Sequence, residues 1–211
     1  MSKMIPDLEA YFRGLVPPSD ALLLKLEEEA ERESIPIVGP VVGQLLFILA
    51  RATGAARILE LGTATGYSGI FLGRAGAKNQ GRVVTLEMDE AMAARARANL
   101  AQAGLAEVVE VRVGEALKLM AEMSGPFDLV FLDIDKESYL PALTHCRRLL
   151  KVGGLLVADN VGFSGAAAFN QEISQHPAWS AVHLLSLLPR HSPEQDGLAL
   201  AVRLALPGKL W

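Results

Sequence analysis

Cysteine occurs once, at Cys146, in a chain of 211 residues. A lone cysteine excludes an internal disulfide framework and makes a reducing, cytoplasmic compartment the expectation. No run of Lys or Arg exceeds two residues and the formal net charge is −4. Such a chain lacks the broad basic face that nucleic-acid binding requires. The longest apolar stretches, such as Leu45 to Ala52 interrupted by Arg51, are far too short to span a bilayer. The opening Met-Ser-Lys-Met-Ile-Pro-Asp has no apolar core and no cleavage site, so no secretory signal is expected. Repeats, low-complexity tracts and Gly/Ser linkers are also missing. The histidines are scattered without a close pair, which disfavours zinc.

What is present is apolar. Hydrophobic residues make up 51% of the chain and charged residues 21%, with a mean hydropathy of +0.28. That balance excludes a disordered chain, and the length suits one domain with a short extension. Residues 1–36 read as an N-terminal helical extension and 37–211 as the main domain. In the extension, Ser19 is a plausible N-cap for a helix with Leu22, Leu23, Leu26 and Ala30 on its inner face and Glu27, Glu28, Glu29 and Glu31 outside. Met4, Ile5, Leu8, Phe12 and Leu15 are too apolar to stay together in solvent and should pack on the domain or on a partner. A further helix should begin at Pro40 and run to Ala52.

From Arg57 the pattern alternates. Short, nearly continuous apolar runs at Arg57–Leu61, Arg82–Glu87, Val108–Val113, Leu129–Asp133 and Leu155–Asp159 suit strands buried on both faces of a parallel sheet. Helical stretches fall between them at Tyr67–Arg74, Glu90–Ala103, Glu115–Met123 and Tyr139–Leu150. Val182–Leu188 and Leu198–Leu204, joined by the polar segment His191–Gly197, leave no room for a helix and should pair antiparallel. The fold class is therefore α/β, a doubly wound, mostly parallel seven-stranded sheet closed by an antiparallel hairpin. This is the outline of a Rossmann-like class I methyltransferase. An outline does not decide function.

Ligands bind at the carboxyl ends of the strands in such sheets. The first strand ends in Glu60-Leu61-Gly62-Thr63-Ala64-Thr65-Gly66-Tyr67-Ser68. Its glycines permit a tight turn and close approach to a ligand, but the G-x-x-x-G spacing departs from the dinucleotide G-x-G-x-x-G. A carboxylate at Glu60 would repel a pyrophosphate yet can receive an ammonium, as on S-adenosylmethionine. The bland alternative is an ordinary turn of a nucleotide-binding fold. Glu87, 21 positions after Gly66, can accept both ribose hydroxyls, while Asp89 suits a helix N-cap. Gly114-Glu115-Ala116 is a weaker candidate for the adenine edge. Asp133 and the Asp159-Asn160 pair can converge above the sheet, because adjacent strands lie roughly 5 Å apart. Two carboxylates and an amide oxygen make a hard, all-oxygen set suited to Mg²⁺. Alternatively these acids cap helices, Asp135 among them, and Lys136 is a surface counterion.

Taken together, the motifs Glu60–Ser68, Leu86–Asp89, Phe131–Lys136 and Ala158–Asn160, with Val38-Gly39 and Gly43-Gln44 upstream, resemble those of the cation-dependent O-methyltransferases. This is the family of catechol and caffeoyl-CoA O-methyltransferases, and the resemblance runs from about Val38 to the tail. It implies that Val38, Glu60, Gly62, Thr63, Gly66, Tyr67, Ser68, Glu87, Ala116 and Asp133 surround S-adenosyl-L-methionine. It implies Asp133, Asp159 and Asn160 as ligands of Mg²⁺ (or Mn²⁺ or Ca²⁺), Lys136 as catalytic base, and a homodimer. The stretch after Asn160 is shorter than the family's usual one and offers Phe163 as the aromatic residue beside a substrate ring.

The expected reaction is methyl transfer to one hydroxyl of a small aromatic vicinal diol. A metal-independent methyltransferase of RNA or another macromolecule would leave Asp159-Asn160 without a role, and no basic face supports it. A non-catalytic cofactor-binding protein is the other alternative, whereas a nicotinamide oxidoreductase has the wrong glycine spacing.

Overall fold

Seven strands lie in the order β3-β2-β1-β4-β5-β7-β6 in the computed structural model, which describes residues 3–186 and 196–205. The strands β1 (Arg57–Leu61), β2 (Arg82–Glu87), β3 (Val109–Val113), β4 (Phe127–Leu132) and β5 (Leu150–Ala158) are parallel. The last strand, β7 (Asp196–Arg203), is antiparallel to β5 on one side and to β6 (Trp179–Ser186) on the other. The expected hairpin is therefore present, with its returning strand inserted beside the parallel sheet. Leu187 and Leu188 of the predicted strand, and residues 191–195 of the polar connection, lie outside the described residues.

The central strands β1 and β4 are buried on both faces and lack a polar-apolar alternation, whereas the edge strand β3, expected to be buried on both faces, alternates and exposes Glu110 and Arg112. One face packs Ile58, Val83, Leu129 and Phe131 against α2 (Ala21–Glu33), α3 (Gly39–Ala52), α4 (Tyr67–Lys78) and α5 (Glu90–Gln102). The other packs Leu59, Leu61, Val130 and Leu132 against α6 (Ala116–Glu122), α7 (Tyr139–Leu149) and α8 (Ala167–Gln175). Because β1 is flanked by β2 and β4, the strand order reverses there. A crevice opens at that switch point, above the carboxyl ends of β1 and β4.

Several local expectations are corrected. Asp20, not Ser19, caps α2, since its carboxylate accepts the N–H groups of Leu22 and Leu23. The Ser19 hydroxyl is taken instead by Glu27 Oε1 at 2.7 Å. Glu27 does not face outward, because the same oxygen also accepts the Tyr67 hydroxyl at 2.7 Å. Strand β5 starts at Leu150, before the predicted Leu155, since Gly153 and Gly154 interrupt the apolar run without ending the strand. Its register against β4 shifts between Phe127 and Leu129. Asp135 makes no capping hydrogen bond, whereas Asp89 caps α5 by accepting the Met92 N–H. The first helix, α1 (Leu8–Arg13), buries none of its residues, so its apolar side chains do not pack on the domain.

Candidate active site

The crevice at the switch point widens into a cavity of about 630 Å³, within the range of small-molecule and cofactor sites. Its floor is the turn between β1 and α4. Gly62 has φ +93° there, and a Cβ on it would collide with the Asp133 carbonyl oxygen. No other residue lets the turn pass so close to β4. The Glu87 carboxylate holds this turn from β2. Its Oε2 accepts the backbone N–H groups of Thr63 and Ala64 at 3.3 and 2.8 Å, and its Oε1 accepts that of Asp89 at 2.9 Å. Below, the Thr63 and Thr85 hydroxyls are 2.5 Å apart, and Asn99 donates to the Thr65 carbonyl oxygen at 2.9 Å. Glu87 keeps lone pairs toward the cavity, where hydroxyl donors can reach it.

Of the residues expected around a cofactor, Val38, Gly62, Thr63, Tyr67 and Ser68 line this cavity, as do Glu87, Ala116 and Asp133. Gly66 and Glu60 stand outside its wall. Gly66 caps α4 in the left-handed conformation at φ +83°. Glu60 is fully buried behind the turn, and among the described residues neither carboxylate oxygen has a hydrogen-bond partner of good geometry. Burial pushes its carboxyl up to about 7, although the nearby Ser68 and Thr85 hydroxyls pull in the opposite direction. Ser68, whose hydroxyl lies near Glu60, lines the cavity itself.

The chemistry-bearing groups converge on the other side of the cavity. Asp133 follows β4, Asp159 and Asn160 follow β5, and Lys136 opens the 3₁₀ turn Lys136–Ser138. Lys136 Nζ donates to Asp133 Oδ1 at 2.9 Å and to the Ile134 carbonyl oxygen at 3.0 Å, 5.1 Å above the Tyr139 ring. Asp159 is 1% exposed, and the Asn160 N–H at 2.9 Å is its side chain's one described donor. Burial first, then the Asp133 charge, drives the Asp159 carboxyl well above the usual range. The single O–H of Tyr139 donates to the Asp159 carbonyl oxygen at 2.8 Å and is shared with that of Leu132 at 3.2 Å, which fixes the backbone at the ends of β4 and β5.

Among the described residues no three His, Cys, Asp or Glu side chains cluster as a metal site. The set here is two carboxylates and an amide. A buried carboxylate beside a second one, with the Lys136 amino group bonded to Asp133 alone of the two, has the oxygen chemistry and negative charge that suit a divalent cation. Phe163 also lines the cavity and is 43% exposed, so its ring is not part of the core.

Other cavity residues carried no signal in the sequence. Glu137 joins Glu87, Glu115, Asp133, Asp135 and Asp159 in the wall, against Lys136 as the one cation among the lining residues. Gly165 packs so closely on the Lys136–Ser138 turn that a Cβ would come 2.8 Å from Glu137 Oε1. Behind the wall, Asp196, read as part of a polar connection, is buried at the start of β7 and accepts a hydrogen bond from the lining residue Asn160.

Known proteins are similar to this chain over nearly its whole length. The sequence profile of the O-methyltransferase family matches residues 19–187. A catechol O-methyltransferase of Niastella koreensis is 35% identical, over 95% of this chain and 98% of that protein. A catechol O-methyltransferase of Mycobacterium tuberculosis is 38% identical, over 92% and 88%. The crystal structure of the O-methyltransferase TomG from Streptomyces achromogenes, in complex with S-adenosylmethionine, superposes with a TM-score of 0.83 at 31% identity, covering 94% of this chain and 96% of that one. The chain therefore belongs to the O-methyltransferase family, enzymes that draw their methyl group from S-adenosylmethionine.

Proposed function

We propose that this enzyme methylates one hydroxyl of a small catechol-like acceptor, with a divalent cation held by Asp133, Asp159 and Asn160. The observation that carries this reading is the meeting of these three side chains with Lys136 in the cavity that the Gly62–Ser68 turn floors. The two catechol O-methyltransferase relatives support the acceptor class. The acidic wall supports a small neutral or cationic diol and opposes a polyanionic acceptor or a nucleic acid, both of which it would repel.

Each residue has one task. Glu87 receives the ribose hydroxyls, and Val38, Thr63, Tyr67, Ser68 and Ala116 bound the rest of the cofactor, with Gly62 and Gly66 shaping the turn. When bound, Mg²⁺, Mn²⁺ or Ca²⁺ supplies positive charge that favours ionisation of a hydroxyl whose unperturbed value is near ~10. Lys136 Nζ, starting as the neutral amine, takes the departing proton on its lone pair, and the ammonium so formed is held by Asp133 Oδ1 and the Ile134 carbonyl oxygen. Phe163 packs on the acceptor ring at the cavity mouth. The products are the methyl ether, S-adenosylhomocysteine and one proton. Holding oxygen and methyl in line does the remaining work.

The enzyme works as a homodimer. The support is α1, where Leu8, Tyr11 and Phe12 lie together with Met4 and Leu15 on an uncovered apolar surface. Residues 1–36 act as the extension that makes this contact, although α2 also packs Leu23 and Leu26 into the core. No helix among the described residues is long and apolar enough to cross a membrane, and Cys146 is free and buried, as in a reducing cytoplasm.

A screen of catechols with labelled S-adenosylmethionine, with and without EDTA, tests the function. Label transfer that stops in EDTA and returns with Mg²⁺ or Mn²⁺ is expected. Asp159→Ala should lose this cation-dependent turnover and still bind S-adenosylhomocysteine. Full activity of metal-free enzyme would overturn the cation's role.

A further inference from the structure

We infer that Asp196 is a positioning residue that fixes which end of the Asn160 amide faces the cavity. This rests on the proposed cation site, of which Asn160 is one member. Asp196 begins β7, far along the chain, and is 4% exposed. Its Oδ2 accepts Asn160 Nδ2 at 2.9 Å. Its Oδ1 accepts two backbone N–H groups, from Gly162 at 2.8 Å and Gly197 at 2.6 Å.

An ionised carboxylate only accepts hydrogen bonds, so the amide facing it must present its NH₂. The amide is planar, and its oxygen then points to the opposite side, where Asn160 lines the cavity. Among the described residues nothing donates to that oxygen. An amide turned the other way would set oxygen against carboxylate and put an NH₂, useless to a cation, into the site. The surroundings are built for this contact. A Cβ on Gly162 would come 2.6 Å from Asp196 Oδ1, and Asn160 sits at φ +52°, in the left-handed region that Asn tolerates better than most residues.

The same logic defines an isosteric test. In Asp196→Asn, the new amide can still accept the Gly162 and Gly197 N–H groups through its oxygen. Its NH₂ then meets the NH₂ of Asn160, and the Asn160 amide turns over to offer its oxygen, withdrawing that oxygen from the cavity. Adding Asn160→Asp repairs the site. One oxygen of the new carboxylate accepts the NH₂ introduced at position 196, and the other faces the cavity.

Mn²⁺ binding to the purified protein, read by electron paramagnetic resonance, measures this directly. S-adenosylhomocysteine titrations and thermal melts run on the same samples. Asp196→Asn should weaken Mn²⁺ binding by about tenfold or more, as loss of a ligand's supporting partner does, and leave S-adenosylhomocysteine affinity within about twofold. The double variant D196N/N160D should return to within roughly threefold of the unaltered protein, a rescue that a purely structural role would not produce. Unchanged Mn²⁺ binding in Asp196→Asn, or no rescue in a folded double variant, overturns the inference. If Asp196→Asn alone does not fold, the double variant's Mn²⁺ affinity decides. If the unaltered protein itself binds no Mn²⁺, the cation reading fails and takes this inference with it.

Discussion

Ala64 donates its backbone N–H to Glu87 Oε2 at 2.8 Å, linking the turn after β1 to the end of β2. With the Thr63 and Asp89 N–H groups, this gives one carboxylate three backbone donors before any ligand arrives. A ribose on Glu87 would therefore meet an acceptor whose position is already set by the loop that floors the cavity. Preorganisation of this kind lowers the ordering cost of binding.

Glu87→Ala should then weaken S-adenosylhomocysteine binding by about 1–3 kcal/mol and also lower the melting temperature, because backbone donors lose their acceptor. Calorimetry and thermal unfolding check the two effects. Reduced affinity with unchanged stability would mean the turn holds its shape without Glu87.

Lys136→Ala should lower kcat by roughly 10²–10⁴, the usual range for a lost general base, with little change in S-adenosylhomocysteine affinity. Steady-state kinetics against a catechol acceptor measure this. A kcat within a few-fold of the original would make Lys136 a counterion of Asp133 and nothing more.

Glu60 should make stability fall with rising pH. Burial raises its folded-state carboxyl from 4.5 to about 7, so between these values the folded chain binds a proton that the unfolded chain releases. Its contribution is fully present below about pH 4.5 and is lost as pH rises through about 7. Glu60→Gln, which stays neutral, should therefore gain on the unaltered protein between about pH 5 and 8 in urea unfolding of the ligand-free enzyme. A pH-independent difference between the two would show that Glu60 does not titrate in this range.

Phe163→Ala should raise KM for the acceptor more than it lowers kcat, since ring packing is shared by the ground and transition states. The ring is 43% exposed, so its removal should cost little stability. A destabilised variant with unchanged KM would assign Phe163 to packing.

The apolar runs and the residues at their carboxyl ends were enough to read five parallel strands, the β6–β7 pairing and the family. Ile58–Leu61 are buried on both faces of the sheet while Val109 and Val111 alternate with the exposed Glu110 and Arg112, and local periodicity reports both patterns directly. The sequence likewise determined that Glu87, Asp133, Asp159, Asn160 and Lys136 would share one end of the sheet, because each follows or ends a parallel strand. Tertiary structure decided which neighbours those groups have. Glu27 turns inward because Tyr67, from another helix, offers it a buried hydroxyl. Glu60 lies behind the cavity wall because the turn that follows folds back over it. Asp196 reaches Asn160 only because β7 inserts beside β5. Hydrogen bonds between residues distant in sequence leave no local period, so their partners exist only once the strands have found their order.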